Sequence, residues 1–154
     1  MRLEYLELID EVVALDAAGG TLRARSRLPM ESPVFEGHFP GAPLVPGTML
    51  TEIMAQACGF LILKRLDFAR LPVLMAIDRA RFRAYVGPGA GLEIAMAVET
   101  EGSGYVAASA EIRSDGGMVA DAALRFRLAG EFGQVLAILR ARAEALGLIG
   151  AEGP

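Results

Sequence analysis

A chain of 154 residues has the length of one domain and can bury a sizeable core. Its net charge of −4 argues against nucleic acid as a partner. One cysteine, Cys58, and one histidine, His38, exclude an intrachain disulfide and argue against a metal cluster.

The hydrophobic fraction is high, 53%. Yet the longest apolar run, Met49 to Leu63, is broken by Thr51, Glu52 and Gln56 and falls short of the ~20 clean residues of a membrane span. Glu4, Glu7 and Asp10 stand where a signal peptide would be basic and then apolar. The expectation is a cytoplasmic protein that uses its extra apolar surface in a subunit interface, a greasy tunnel, or both.

In chain order, a short N-terminal turn leads to a strand from about Glu7, and Asp16 to Gly20 form a turn. Thr21 to Leu28 alternates, with Leu22, Ala24, Ser26 and Leu28 opposite Arg23, Arg25 and Arg27, the pattern of a half-buried strand with a solvated outer face. Pro29 to Pro46 reads as a long irregular loop, a length uncommon in compact domains without a function. A helix follows from about Gly47 to Asp67, apolar nearly all round and so wrapped by the rest of the chain. Glu52, Gln56 and Gly59 share one stripe of it. Strands are expected at about Val73 to Tyr85, Leu92 to Glu99, Tyr105 to Arg113 and Met118 to Leu128. Hairpin turns fall at Gly102-Ser103-Gly104 and Asp115-Gly116-Gly117. An amphipathic helix from Phe132 to Leu146 closes the chain. This is an α+β order in which an antiparallel sheet curled around one long apolar helix meets the burial demands. Residues 1–130 form the domain, and 131–154 add a helical extension to it.

The chemistry concentrates between Glu36 and Ala57. Prolines 40, 43 and 46 and glycines 37, 41 and 47 fix the path of a loop that carries His38 and runs into the helix carrying Glu52. A histidine can act as a base near neutral pH, and an apolar setting favours the neutral, proton-donating form of a carboxyl group. The N–H of Gly47, at the positive end of the helix, can receive an oxyanion. Singly, each residue has a structural explanation: a loop histidine, an interface glutamate, a helix cap, a buried amide. Together they form an acid/base pair with an oxyanion site.

The run Gly37-His38-Phe39-Pro40-Gly41, then Pro43, Pro46-Gly47 and Glu52-Ile53-Met54-Ala55-Gln56, resembles the signature of the β-hydroxyacyl-acyl carrier protein dehydratases of bacterial fatty acid synthesis. A weaker resemblance extends from about Tyr5 to Leu128. It implies the hot-dog fold, no cofactor, and dehydration of a phosphopantetheine-linked 3-hydroxyacyl group on an acyl carrier protein. His38 and Glu52 would be catalytic, Gly47 would bind the thioester oxygen, and Gln56 would orient the Glu52 carboxyl. It further implies a homodimer in which His38 of one chain meets Glu52 of the other, with a hexamer as a trimer of dimers. Arg79, Arg81 and Arg83, alternating on one strand, fall where the family places basic residues for its acidic carrier. The alternative there is a plain solvated face.

The chain departs from the pattern in its start, Leu3-Glu4-Tyr5-Leu6, in Pro88-Gly89-Ala90, in the small Val73 where some members have an aromatic gate, and in the tail beyond Glu131. These departures suggest a specialised branch making very long acyl chains for lipid A. A hot-dog thioesterase and a non-catalytic acyl-binding subunit are the rival readings. A dehydratase that also isomerises its product would carry Asp in place of Glu52.

Overall fold

The structure is a computed structural model that describes residues 1–130 and 132–148. Six strands form one antiparallel sheet: β1 (Glu11–Asp16), β2 (Thr21–Arg27), β3 (Leu71–Phe82), β4 (Gly91–Gly102), β5 (Tyr105–Ser114) and β6 (Gly117–Ala129). Their order across the sheet is β1-β2-β4-β5-β6-β3. Helix α1 (Pro33–Gly37) lies in the long loop, α2 (Gly47–Arg65) is the central helix, and α3 (Gly133–Ala145) follows the last strand. The architecture is the α+β hot-dog fold.

Side-chain period sets which face of the sheet meets α2. Leu22, Ala24 and Ser26 of β2 are buried, as are Leu92, Ile94 and Met96 of β4, the alternate positions of β5 from Val106 to Ile112, and those of β6 from Ala120 to Leu128. The alternate residues point away, as strand geometry requires. Asp115 and Gly116 both take positive φ, 50° and 76°, which lets a two-residue turn follow the twist of β5 and β6. On α2, Ile53, Met54, Ala57, Cys58 and Leu61 are wholly enclosed. Between Leu50 and Leu63, only Glu52, Gln56 and Gly59 escape burial.

Two local expectations are corrected. The strand expected from Glu7 begins at Glu11; before it come a 3-10 turn at Leu3–Tyr5 and a left-handed Leu6 with φ 54°. Here one backbone bond, from the Asp10 N–H to the Arg25 carbonyl at 3.2 Å, is joined by side-chain bonds. The buried Ser26 Oγ donates to the Leu8 carbonyl at 2.7 Å and accepts from the Asp10 N–H at 3.2 Å. The long loop, read as irregular throughout, contains α1. Ser32 caps it, accepting from the Val34 N–H at 3.3 Å, and Pro33 takes the first helical position, where its missing N–H is harmless.

Helix α3 packs through the buried Leu136 and Ala143, with Leu146 and Leu148 just beyond it. Arg140 donates to the Asp67 carbonyl at 2.7 Å and lies 4.7 Å above the Phe68 ring. Arg142 donates to the Ile9 carbonyl at 3.2 Å. The rest of the expected extension, Glu131 and residues 149–154, lies outside the described residues.

Cys58 is enclosed on α2, and burial pushes its thiol up to about 12. The folded protein is therefore expected to be inert to a disulfide reagent at neutral pH, where too little thiolate exists to react. In denaturant it should titrate one thiol. Fast labelling of the native form would contradict the enclosure.

Candidate active site

His38 sits at the C-terminus of α1 and is held by its own loop. Its N–H donates to the Val34 carbonyl at 3.0 Å, and its carbonyl accepts from the Leu44 N–H at 2.8 Å. Between these two, Phe39 and Ala42 exchange backbone bonds of 3.3 and 2.9 Å. The imidazole Nδ1 lies 3.1 Å from the Leu44 carbonyl, and the ring stacks on Phe39 at 4.1 Å. A carbonyl can only accept, so Nδ1 carries the hydrogen and Nε2 keeps its lone pair. The loop thus fixes both the placement and the tautomer of the one histidine.

Glu52 lies in the second turn of α2. Gln56, one turn on, donates from Nε2 to Glu52 Oε1 at 3.0 Å and to the Leu6 carbonyl at 2.8 Å; its Oε1 accepts from the Leu8 N–H at 3.3 Å. The amide is thereby pinned by both strands of contact, and it aims one carboxylate oxygen. Glu52 and Gln56 open onto a cleft of about 540 Å³ whose walls include Gly59, Leu63, Leu71 and Ile138. The lining is mostly apolar, the usual character of a ligand site. In the single chain Glu52 is half-buried, less enclosed than an apolar helix suggested, because between Leu50 and Leu63 its stripe is the part of α2 left uncovered.

Gly47 opens α2 after Pro46, and its N–H is among those a helix leaves without an internal partner. It faces the Phe82 ring: a Cβ here would meet Phe82 Cε2 and Cζ at 3.1 Å. Any larger residue here would have to push the half-exposed Phe82 ring aside by a few tenths of an ångström.

The structure brings Glu52, Gln56 and Gly47 onto one helix and places His38 elsewhere; His38 is not among the residues lining the Glu52 cleft. The three arginines gather around Asp121. Arg81 lies opposite it in register, Arg83 Nε donates to it at 2.9 Å, and Arg79 Nη2 is 3.3 Å from its other oxygen. The bonded Arg83 guanidinium, reinforced by the charges of Arg79 and Arg81, holds the Asp121 carboxyl below the usual carboxylate range. Sequence reasoning missed this neutralising partner, along with Phe82, the Leu6–Leu8 backbone that clamps Gln56, and the α3 residues in the cleft wall. None of these carries a motif; each meets the site through tertiary folding alone. Among the described residues, no group of three or more His, Cys, Asp or Glu could hold a metal ion.

A family model described as a FabA-like domain matches residues 2–123. The 3-hydroxyacyl-acyl-carrier-protein dehydratase FabZ of Symbiobacterium thermophilum is 38% identical over 79% of this chain and 85% of its own length. The protein of the same name from Nitratiruptor is 38% identical over 77% and 84%. Among solved structures, the PaaI protein of the E. coli phenylacetic acid degradation operon superimposes with a TM-score of 0.61 at 16% identity, covering 80% of this chain and 85% of that one. The dehydratase heterocomplex ApeI:P of Xenorhabdus doucetiae does so with 0.59 at 16%, covering 75% and 96%. At such identities the two structures speak for the fold. The family match over most of the sheet and all of α2, with the motif run inside it, means that the chain belongs to the FabA-like family.

Proposed function

We propose that this chain dehydrates a 3-hydroxyacyl group carried by an acyl carrier protein to the trans-2-enoyl thioester, in fatty acid biosynthesis, with His38 and Glu52 as its acid/base pair. The observation that carries the reading is Glu52, aimed by Gln56 at 3.0 Å into an apolar cleft on a helix whose first N–H groups are free to take an oxyanion.

In the reaction, His38 Nε2 removes a proton from C2. The C2 electron pair forms the C2–C3 double bond as the C3–O bond breaks. The Glu52 carboxyl supplies a proton to the departing hydroxyl, which leaves as water. The thioester oxygen gains charge on the way and rests against the Gly47 N–H. The His38 proton is then returned to solvent and Glu52 is reprotonated, so no cofactor is needed.

A second protomer would complete the site. Strand β3 ends the sheet and leaves one edge unpaired, with Val73, Met75 and Ile77 exposed by 42%, 55% and 50%. A long apolar edge invites pairing with another chain. Finishing the burial of these half-covered side chains is worth about 1 kcal/mol each. That sum falls short of the ~4–15 kcal/mol association requires, so the ladder along the edge has to contribute as well. Joining two β3 edges would bring the His38 loop of one chain toward the Glu52 cleft of the other. Three such dimers could build a hexamer without disturbing that pairing. Residues 1–130 would be the catalytic domain and α3 an extension of it, working in the cytoplasm. Arg79, Arg81 and Arg83 outnumber Asp121 and leave a positive surface for an acidic carrier.

Hydration of a trans-2-enoyl carrier thioester, followed by its absorbance, should fall about 10²–10⁴-fold in His38→Ala and in Glu52→Gln, with circular dichroism unchanged. A folded wild type inert on short, medium and long chains would end the reading, and hydrolysis without dehydration would favour a thioesterase. Unfolding and reassembling the two inactive variants together should restore turnover, since a mixed dimer holds one intact pair; no recovery would place both groups in one chain. Gly47→Ala should lower kcat several-fold by pushing the Phe82 ring, and Phe82→Leu should recover part of the loss. Equal loss in the single and double variants would leave Phe82 without that role.

A further inference from the structure

Helix α3 begins beyond residue 123, where the family-model match ends, yet its side chains line the same cleft as Glu52. The stripe Glu52, Gln56, Gly59, Leu63 runs along the cleft floor for roughly 16 Å at the ~1.5 Å rise of a helix. Its polar end is Glu52 with Gln56. At the opposite end α3 is anchored: Arg140 holds Asp67, just past α2, at 2.7 Å and caps the Phe68 ring. Ile138 and Leu139, next to that anchor, project into the cleft, and Ile138 is 69% exposed.

Gly59 adds an independent sign. A glycine inside a helix costs about tenfold or less in folding equilibrium relative to alanine, and close packing often explains its presence. Here a Cβ would meet only Pro72 Cγ, at 4.0 Å, which is ordinary contact at its outer limit. No protein atom requires the glycine; the open space above it belongs to the cleft.

We infer that the acyl chain of the substrate lies along this stripe, over Gly59, and that Ile138 of α3 forms the end wall that sets the chain length accepted. The inference rests on the dehydratase reading above. The occupant is an acyl chain because the carboxyl proposed to react stands at one end of the groove and most of the remaining lining is apolar, Tyr5, Glu7 and Arg142 being the exceptions. Each methylene that finds apolar cover is worth about fourfold in binding, so a wall displaced by a few carbons changes selectivity steeply.

The test measures kcat/KM of wild type, Ile138→Trp and Ile138→Ala on trans-2-enoyl thioesters of acyl carrier protein, from butenoyl to hexadecenoyl, with the mass of each assembly by light scattering. Because Ile138 is exposed, neither change should disturb folding. Ile138→Trp is expected to lower the long-to-short ratio at least tenfold, and Ile138→Ala to raise it, at unchanged mass. Gly59→Leu should cut the same ratio. Equal effects on every chain length, or a changed mass with an unchanged ratio, would overturn the inference and assign Ile138 to a contact between copies. A wild type inactive on every chain would instead remove the dehydratase reading.

Discussion

The structure depends on the near-complete enclosure of α2. A helix apolar on almost every side is stable in water only when other elements cover it, and here a curled sheet does so. Enclosure has a gap, the stripe of Glu52, Gln56 and Gly59, and polar chemistry is confined to that gap. Every polar atom at its edge must find a partner or remain in contact with the cleft. Gln56 does the first for itself, for the segment Leu6–Leu8 and for one oxygen of Glu52, and leaves the other Glu52 oxygen to do the second.

The site is built from two kinds of rigidity. On α2, Glu52 is placed by a helix whose neighbours are wholly buried. In the loop, His38 is placed by backbone bonds to Val34 and Leu44, with its ring fixed by a further contact to the Leu44 carbonyl. Neither depends on substrate, so little ordering is left for the moment of binding. In the single chain the two stand apart, since His38 is not among the residues lining the Glu52 cleft, and the pairing proposed above through the open edge of β3 is what would join them.

Much of this was legible in the sequence because it is periodic. The alternation of Leu22, Ala24 and Ser26 with arginines, and the matching patterns of β4, β5 and β6, are direct consequences of strand geometry. The apolar run around Glu52, interrupted only by Thr51, Glu52 and Gln56, required a wrapped helix. Start points were less legible. Val12 and Leu15 extend the apolar character of Leu8 and Ile9, so nothing local marks where pairing begins; only the fold shows the Leu8 carbonyl taken up by the Ser26 hydroxyl of β2. Ser32-Pro33 was a readable helix start hidden in a stretch dominated by Gly and Pro. The exposure of β3 was not readable, since Val73 to Ile77 look like core. Nor was the meeting of α3 with the Glu52 cleft, or the partnership of the three arginines with Asp121, because residues so distant in sequence are joined only by the closed fold.

That closure has a consequence for synthesis. Arg142 grips the carbonyl of Ile9, 133 positions earlier, and the same cleft is walled by the first residues of the chain and by its last helix. Contacts of such sequence separation form late, since the loop they close must be ordered first. During synthesis α3 emerges after β1 to β6 and α2. The wall that α3 gives the cleft is then the last part of it to form, and until α3 docks the Glu52 stripe stays open on that side.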